Sequence, residues 1–185
     1  MMRETVFGGL ARRSGPFGKM RPGFTFFEII VVIGIIGIIM AVTVPNFLSS
    51  LHTRAMESSA RIVQSNLQWA KLQAVKTKLN HRVRFEQQTD GAWILSLERE
   101  RTPDVWILMP GFVKRELSTK VNITVGLPEN TVVYSALGLV ENFSSLMNTV
   151  TLQSDRLKAE SQPDVREIRV YAGGSIEYRR TTSGT

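Results

Sequence analysis

The 185-residue chain has no cysteine and only two histidines, His52 and His81. Without thiols there is no disulfide, no cysteine nucleophile and no thiolate metal centre. The histidines stand in different contexts, and each reads as a structural or solvated ring. No G-x-S-x-G, phosphate-binding glycine loop or H-E-x-x-H occurs. The carboxylates are scattered, with no D-x-D run of the kind that calcium loops use. There is no internal repeat and no low-complexity tract. These absences argue against an enzyme and leave no catalytic residue, metal or cofactor to assign.

Charge is missing from one long stretch. No Asp, Glu, Lys or Arg lies between Glu28 and Arg54, and from Phe24 to Val44 only Thr25, Glu28 and Thr43 are polar. As a helix this run spans about 31 Å, matching a hydrocarbon core of about 30 Å. Charge is concentrated before it. Of the 23 basic and 16 acidic residues, five and one precede Phe24: Arg3, Arg12, Arg13, Lys19 and Arg21 against Glu4. The formal charge of +7 is therefore +4 in residues 1–23 and +3 beyond them. This asymmetry places the N-terminus in the cytoplasm and the remainder across the membrane, and does not by itself mark a nucleic-acid surface.

Residues 1–23 are rich in Gly, Arg and Pro, lack periodicity and read as a processed leader, with Met1, Met2 and Met20 as alternative starts. Residues 24–45 form the apolar helix. Glu28 sits at its mouth, where a carboxylate costs about 2.5–3.5 kcal/mol if it reaches the bilayer centre. A plain anchor needs neither Glu28 nor the Gly23-Phe24 pair before it. A secretory signal has an apolar core of only about 7–15 residues. Glycine has no side chain, so the Gly23 carbonyl is sterically open. In a dry environment the Glu28 carboxylate needs a cationic partner to satisfy it. Gly37 and Ala41 form a small-xxx-small pair that permits close helix approach, and Pro45 interrupts the pattern.

Residues 46–80 continue as an amphipathic helix ending near Leu79-Asn80. Met56, Ala60, Val63, Leu67, Ala70 and Ala74 recur at spacings of three and four, and Arg61, Gln64, Gln68, Lys71 and Lys78 lie off that stripe. The small residues suggest close packing on a sheet. In residues 81–185 the period changes to strands. Segments 82–87 and 92–98 flank Thr89-Asp90-Gly91, and segments 167–172 and 175–179 flank Gly173-Gly174, two hairpin signals. Segments 105–109, 121–125, 131–135 and 148–153 are further short strands, and 154–164 reads as a surface loop. The expectation is an α+β domain of a long N-terminal helix, membrane-embedded in its first half, on an antiparallel β-sheet domain.

The stretch Arg21-Pro22-Gly23-Phe24-Thr25-Phe26-Phe27-Glu28, with its apolar run, resembles the cleavage and assembly signal of the type IV pilin and pseudopilin superfamily. Farther on, Ser59-Ala60-Arg61-Ile62-Val63 through Gln73-Ala74-Val75 is similar to the GspH/FimT group. So are Val133-Tyr134-Ser135-Ala136-Leu137-Gly138 and the closing hairpin of Arg166-Glu167-Ile168-Arg169-Val170 with Gly173-Gly174-Ser175-Ile176. The likeness covers most of residues 24–180. It implies a pilin-like fold, cleavage between Gly23 and Phe24 by a prepilin peptidase, and N-methylation of Phe24. Glu28 would pair with the Phe24 amine of a neighbour and set axial register in a filament. The stretch between Gly37 and Pro45 would supply flexibility on entry into it.

The resemblance further implies an H-type minor pseudopilin of type II secretion, a structural subunit of the periplasmic pseudopilus that helps to export folded proteins. Such a subunit is single-pass in the bacterial inner membrane, with a periplasmic C-terminal domain, and can be extracted into the filament. Its partners are other pseudopilins or minor pilins, the prepilin peptidase, the inner membrane and exported protein substrates. Lack of a calcium loop favours a minor subunit, and lack of cysteine argues against a disulfide-closed major pilin. The alternative is a FimT-like minor pilin of a type IV pilus, acting in pilus priming or DNA uptake. In that reading Arg166, Arg169, Arg179 and Arg180 form a basic patch whose phosphate contacts bind DNA. Glu167 and Glu177 dilute the patch, and Gly174 is followed by Ser175-Ile176-Glu177 rather than Gly-Arg-x-Arg, so the hairpin reads better as a solvated, mixed-charge surface. A third class is a signal-anchored periplasmic domain outside any filament.

Overall fold

The computed structural model describes residues 23–183. The rest of the expected leader, residues 1–22 with its three methionine starts, lies outside the described residues. Helix α1 runs Phe26–Thr77. It begins where Thr25 Oγ1 accepts a hydrogen bond from the Glu28 N–H at 3.2 Å, satisfying one of the free donors of the first turn. It ends two residues short of the expected Leu79, because Lys78 takes a left-handed φ of 58°, a conformation that closes helices.

The chain divides after Ala41 into two compact units. In the first, every described side chain from Gly23 to Ala41 is exposed. Among the described residues no helix is long and apolar enough to cross a membrane. The side chains of residues 42, 45 and 46 lie outside the description, and with them that of Pro45.

The second unit is α+β. Its part of α1 packs on two antiparallel sheets through the expected stripe: Met56, Ala60, Val63, Leu67, Ala70 and Ala74 are at most 1% exposed. The strands are β1 (His81–Gln87), β2 (Trp93–Thr102), β3 (Val105–Leu108), β4 (Arg115–Glu116), β5 (Asn122–Gly126), β6 (Thr131–Tyr134), β7 (Thr149–Gln153), β8 (Val165–Val170) and β9 (Ile176–Thr181). One sheet has the order β3-β2-β1-β6 with β4 also on β2, and the other has the order β5-β7-β8-β9. The expected antiparallel β domain thus consists of two sheets. Both supply one core with the helix stripe, through Val83, Leu97 and Val132 from the first and Val150, Leu152 and Ile168 from the second.

Both expected hairpins form. Gln88 N–H donates to the Ala92 carbonyl at 2.8 Å, and Tyr171 N–H to that of Ser175 at 3.0 Å. One strand was not foreseen and one expectation fails. The two-residue β4 carries no periodic signal. The polar segment 154–164 is not a surface loop: it folds into a short helix α2 (Asp155–Ala159) that buries Leu157, while Ser154 and Asp164 are also buried. One apolar residue among polar ones gives no pattern, yet a single leucine anchors the turn.

Polar clamps hold α1 to the sheets. The Ser118 N–H donates to Ser59 Oγ at 3.1 Å. Lys71, which lies off the apolar stripe, turns its ammonium to the carbonyls of Gly173 at 3.3 Å and Gly174 at 3.0 Å. There the chain comes so close to itself that a Cβ on Gly174 would lie 2.2 Å from the Gly138 carbonyl oxygen, and Gly174 has a φ of +71°. A left-handed alanine costs about 1–2 kcal/mol before any clash is counted. Gly174→Ala is therefore expected to destabilise the chain by at least about 2 kcal/mol, read as a lower urea midpoint. An unchanged midpoint would show that this approach is not tight.

Candidate functional site

At the N-terminal end, Gly23 to Thr25 precede the helix. A Cβ at Gly23 would meet nothing within 4 Å, and Phe24 is 79% exposed. Among the described residues the Gly23–Phe24 peptide therefore lies ahead of the helix with nothing packed on it. Glu28 follows in the first turn with its side chain exposed. An acid there is favoured by the partial positive charge of the helix N-terminus. Gly37 lies within α1 and also has open space around it. α1 runs through position 45, whose side chain is outside the description. Thr25 stands in the sequence as a polar residue of the apolar run, and the signal for its capping role is the Thr25-x-x-Glu28 spacing of a capping box. The threonine fixes where the helix starts, and so how far Glu28 lies from the Phe24 nitrogen.

The four arginines of the closing hairpin do not form one patch. β8 and β9 pair Arg166 with Arg180, Glu167 with Arg179 and Arg169 with Glu177. Directly opposed residues share a sheet face, so Arg166 and Arg180 lie on the helix side, and Arg169 and Arg179 on the other. Arg166 is fully buried. Its Nε donates to Glu57 Oε1 at 2.8 Å, and its Nη1 donates to the Pro163 and Val165 carbonyls at 3.0 Å each. Arg166, which contacts a phosphate only in the alternative DNA-binding reading and lies on a solvated surface in the preferred one, is instead an internal strut between sheet and helix. On the outer face, Arg169 Nη2 pairs with Glu167 at 2.6 Å and Arg179 Nη2 with Glu177 at 3.1 Å. That face alternates in sign. Arg180 is exposed and makes no salt bridge among the described residues. The sequence could not reveal this split, because Glu57, the partner that draws Arg166 inward, lies 109 positions away.

Two carboxylates lock this region. Burial works against ionisation of Glu57, but hydrogen bonds from Arg166 and Tyr178 and the charges of Arg166 and Arg180 outweigh it and lower its pKa. Tyr178 donates its hydroxyl to Glu57 Oε2 at 2.9 Å. Asp164 is fully buried. Burial likewise opposes its charge, yet the Ser183 hydroxyl and N–H and the Gln153 amide all donate to it, and its pKa falls to about 2. It ties the end of β9 to β7. His81 is buried beside the Leu79 carbonyl, and burial holds it below the ordinary histidine range. Among the described residues no group of three or more His, Cys, Asp or Glu could hold a metal ion.

The sign of the pH dependence follows. Glu57 and Asp164 have folded-state pKa values depressed below their unfolded ones, so the folded chain binds fewer protons. Their contribution is complete above the ordinary carboxylate range and is lost as pH falls from about 4 towards 2. In acid titrations followed by tryptophan fluorescence, stability should drop steeply through that window, and Asp164→Asn should be less stable at pH 7 with a shallower acid limb. Equal acid limbs would contradict the role of Asp164.

No protein-family model matches the chain, and no curated protein does. Among solved structures the chain is similar to the minor pseudopilin EpsH from the type 2 secretion system of Vibrio cholerae. The identity is 13% and the TM-score 0.49, over 70% of this chain and 98% of that one. It is also similar to the type IV minor pilin FimU of Pseudomonas aeruginosa, with 15% identity and a TM-score of 0.44, over 69% of this chain and 90% of that one.

Proposed function

We propose that this chain is a minor subunit of a pilin-like filament, and specifically an H-type minor pseudopilin of a bacterial type II secretion system. The observation that carries the reading is the N-terminal one: Gly23-Phe24 ahead of the helix, then Glu28 in its first turn, with every described side chain exposed as far as Ala41. Apolar surface around the whole circumference of a helix requires lipid or other helices to cover it. A peptidase that cuts after Gly23 exchanges the basic leader for a single ammonium at Phe24. Glu28 is then the one acid within reach of such an amine in a dry environment, its own or a neighbour's. Pairing between subunits satisfies both charges and fixes the stagger of adjacent helices.

In this reading the first half of α1 is held in the inner membrane before assembly and in the filament core after it. The globular domain lies in the periplasm and meets other minor subunits or exported protein. The prepilin peptidase processes the chain and methylates Phe24. The residues support a structural role. The DNA-binding form of the FimT-like alternative is weakened by the burial of Arg166 and the pairing of Arg169 and Arg179.

A deletion strain complemented with the wild type or with Glu28→Ala tests the proposal. The wild type should restore extracellular enzymes while pilus number stays constant throughout. Glu28→Ala should insert in the membrane normally yet restore less than a tenth of secretion. Lost pili with intact secretion would assign the chain to a type IV pilus, and full activity of Glu28→Ala would overturn the assembly role of the carboxylate.

A further inference from the structure

The closing hairpin leaves one sheet edge open. β9 pairs with β8 alone. The Tyr171 N–H bond to the Ser175 carbonyl sets the phase of the ladder. Alternation along an antiparallel pair then makes Arg169/Glu177, Glu167/Arg179 and Val165/Thr181 the hydrogen-bonded pairs. The N–H and C=O groups of Ile176, Tyr178 and Arg180 therefore point away from β8. Among the described residues no backbone bond to them is made from outside the β8 ladder.

Burial shows that α1 covers β8 and leaves β9 at its rim. Arg166 and Ile168 are fully buried, whereas their cross-strand partners Arg180 and Tyr178 are exposed and half-buried. Beside this rim, Ile176 and Gly174 join Gln68, Lys71, Leu72 and Val75 of α1 around a groove of about 360 Å³. Leu72 is 61% exposed there. The groove lies at the Ile176 end of β9, and the exposed guanidinium of Arg180 lies four residues away at the other end.

We infer that the β9 edge is a strand-addition site for an extended segment of a partner protein, with an apolar side chain in the groove beside Ile176 and a carboxylate at Arg180. Main-chain bonds to the open edge would supply affinity, and the groove and the arginine would supply selectivity. For an antiparallel strand the fitting pattern, from N- to C-terminus, is acidic, any, apolar, any, apolar. A second copy of this chain fits poorly. Two β9 strands paired about Tyr178 would set Arg180 of one beside Ile176 of the other, so the second copy would bring neither an apolar side chain to the groove nor an acid to Arg180. The inference does not depend on the filament reading.

The full chain in detergent micelles, titrated with the peptide Thr-Glu-Thr-Val-Thr-Leu-Thr, tests it by amide hydrogen exchange and isothermal titration. Exchange should slow at Ile176, Tyr178 and Arg180. N-methylation of the peptide valine, whose N–H faces β9, should abolish binding, whereas N-methylation of an adjacent threonine should not. Arg180→Glu should weaken binding at least about tenfold and favour the peptide with Lys in place of Glu. Absence of protection at millimolar peptide, or binding indifferent to the valine N-methyl group, would overturn the proposal. So would protection that appears without peptide and grows with protein concentration, since a second copy would then be the occupant.

Discussion

One narrow stripe of α1 organises the globular unit. Met56, Ala60, Val63, Leu67, Ala70 and Ala74 lie at most 1% exposed beneath both sheets. Three of the six are alanines, which let the strands approach the helix closely. Successive helical residues are separated by about 100°, so sliding the register by one position would swing polar side chains into that seam. The neighbouring clamps depend on the same rotation. Glu57, Ser59 and Lys71 reach Arg166, the Ser118 N–H and the Gly173-Gly174 carbonyls only while the stripe faces inward. The sheets are thus placed by the helix, and the loops that carry Gly138, Asp164 and Gly174 are placed by the sheets.

The first part of the same helix has the opposite problem. From Phe26 to Ala41 it is apolar on every side except at Glu28, and nothing in its own unit covers it. A sequence of this kind is stable only where another apolar surface surrounds it. A carboxylate at its entrance then narrows the choice, because such a group persists in a dry environment only with a partner. In the proposed reading an amine freed at Phe24 would be a partner of the right charge at the right place, which is the physical reason to connect the cleavage proposed at Gly23 with an assembly contact at Glu28.

Patterned features were legible in the sequence. The buried stripe, the hairpins at Thr89-Asp90-Gly91 and Gly173-Gly174, and the α+β class follow from periodicity and turn chemistry, and the structure has all of them. Features that depend on a single distant contact were not legible. Arg166 reads as a surface cation until Glu57 is brought beside it, and Asp164 reads as part of a loop until Ser183 and Gln153 converge on it. α2 rests on one leucine, and β4 on two residues paired with the middle of β2. The split of the last arginines onto two faces follows from strand alternation, but their neutralisation and the burial of Arg166 need the third dimension. Thr25 was within reach of the sequence, since its spacing to Glu28 is a capping signature.

The account turns on what becomes of the Gly23-Phe24 bond and where the product goes. Sheared extracellular filaments and the membrane fraction, compared by mass spectrometry of this chain's N-terminus, address both directly. The account predicts a chain that begins at a singly methylated Phe24 and is present in the filament fraction. A chain that keeps its leader, or one cut elsewhere and absent from every filament preparation, would contradict it.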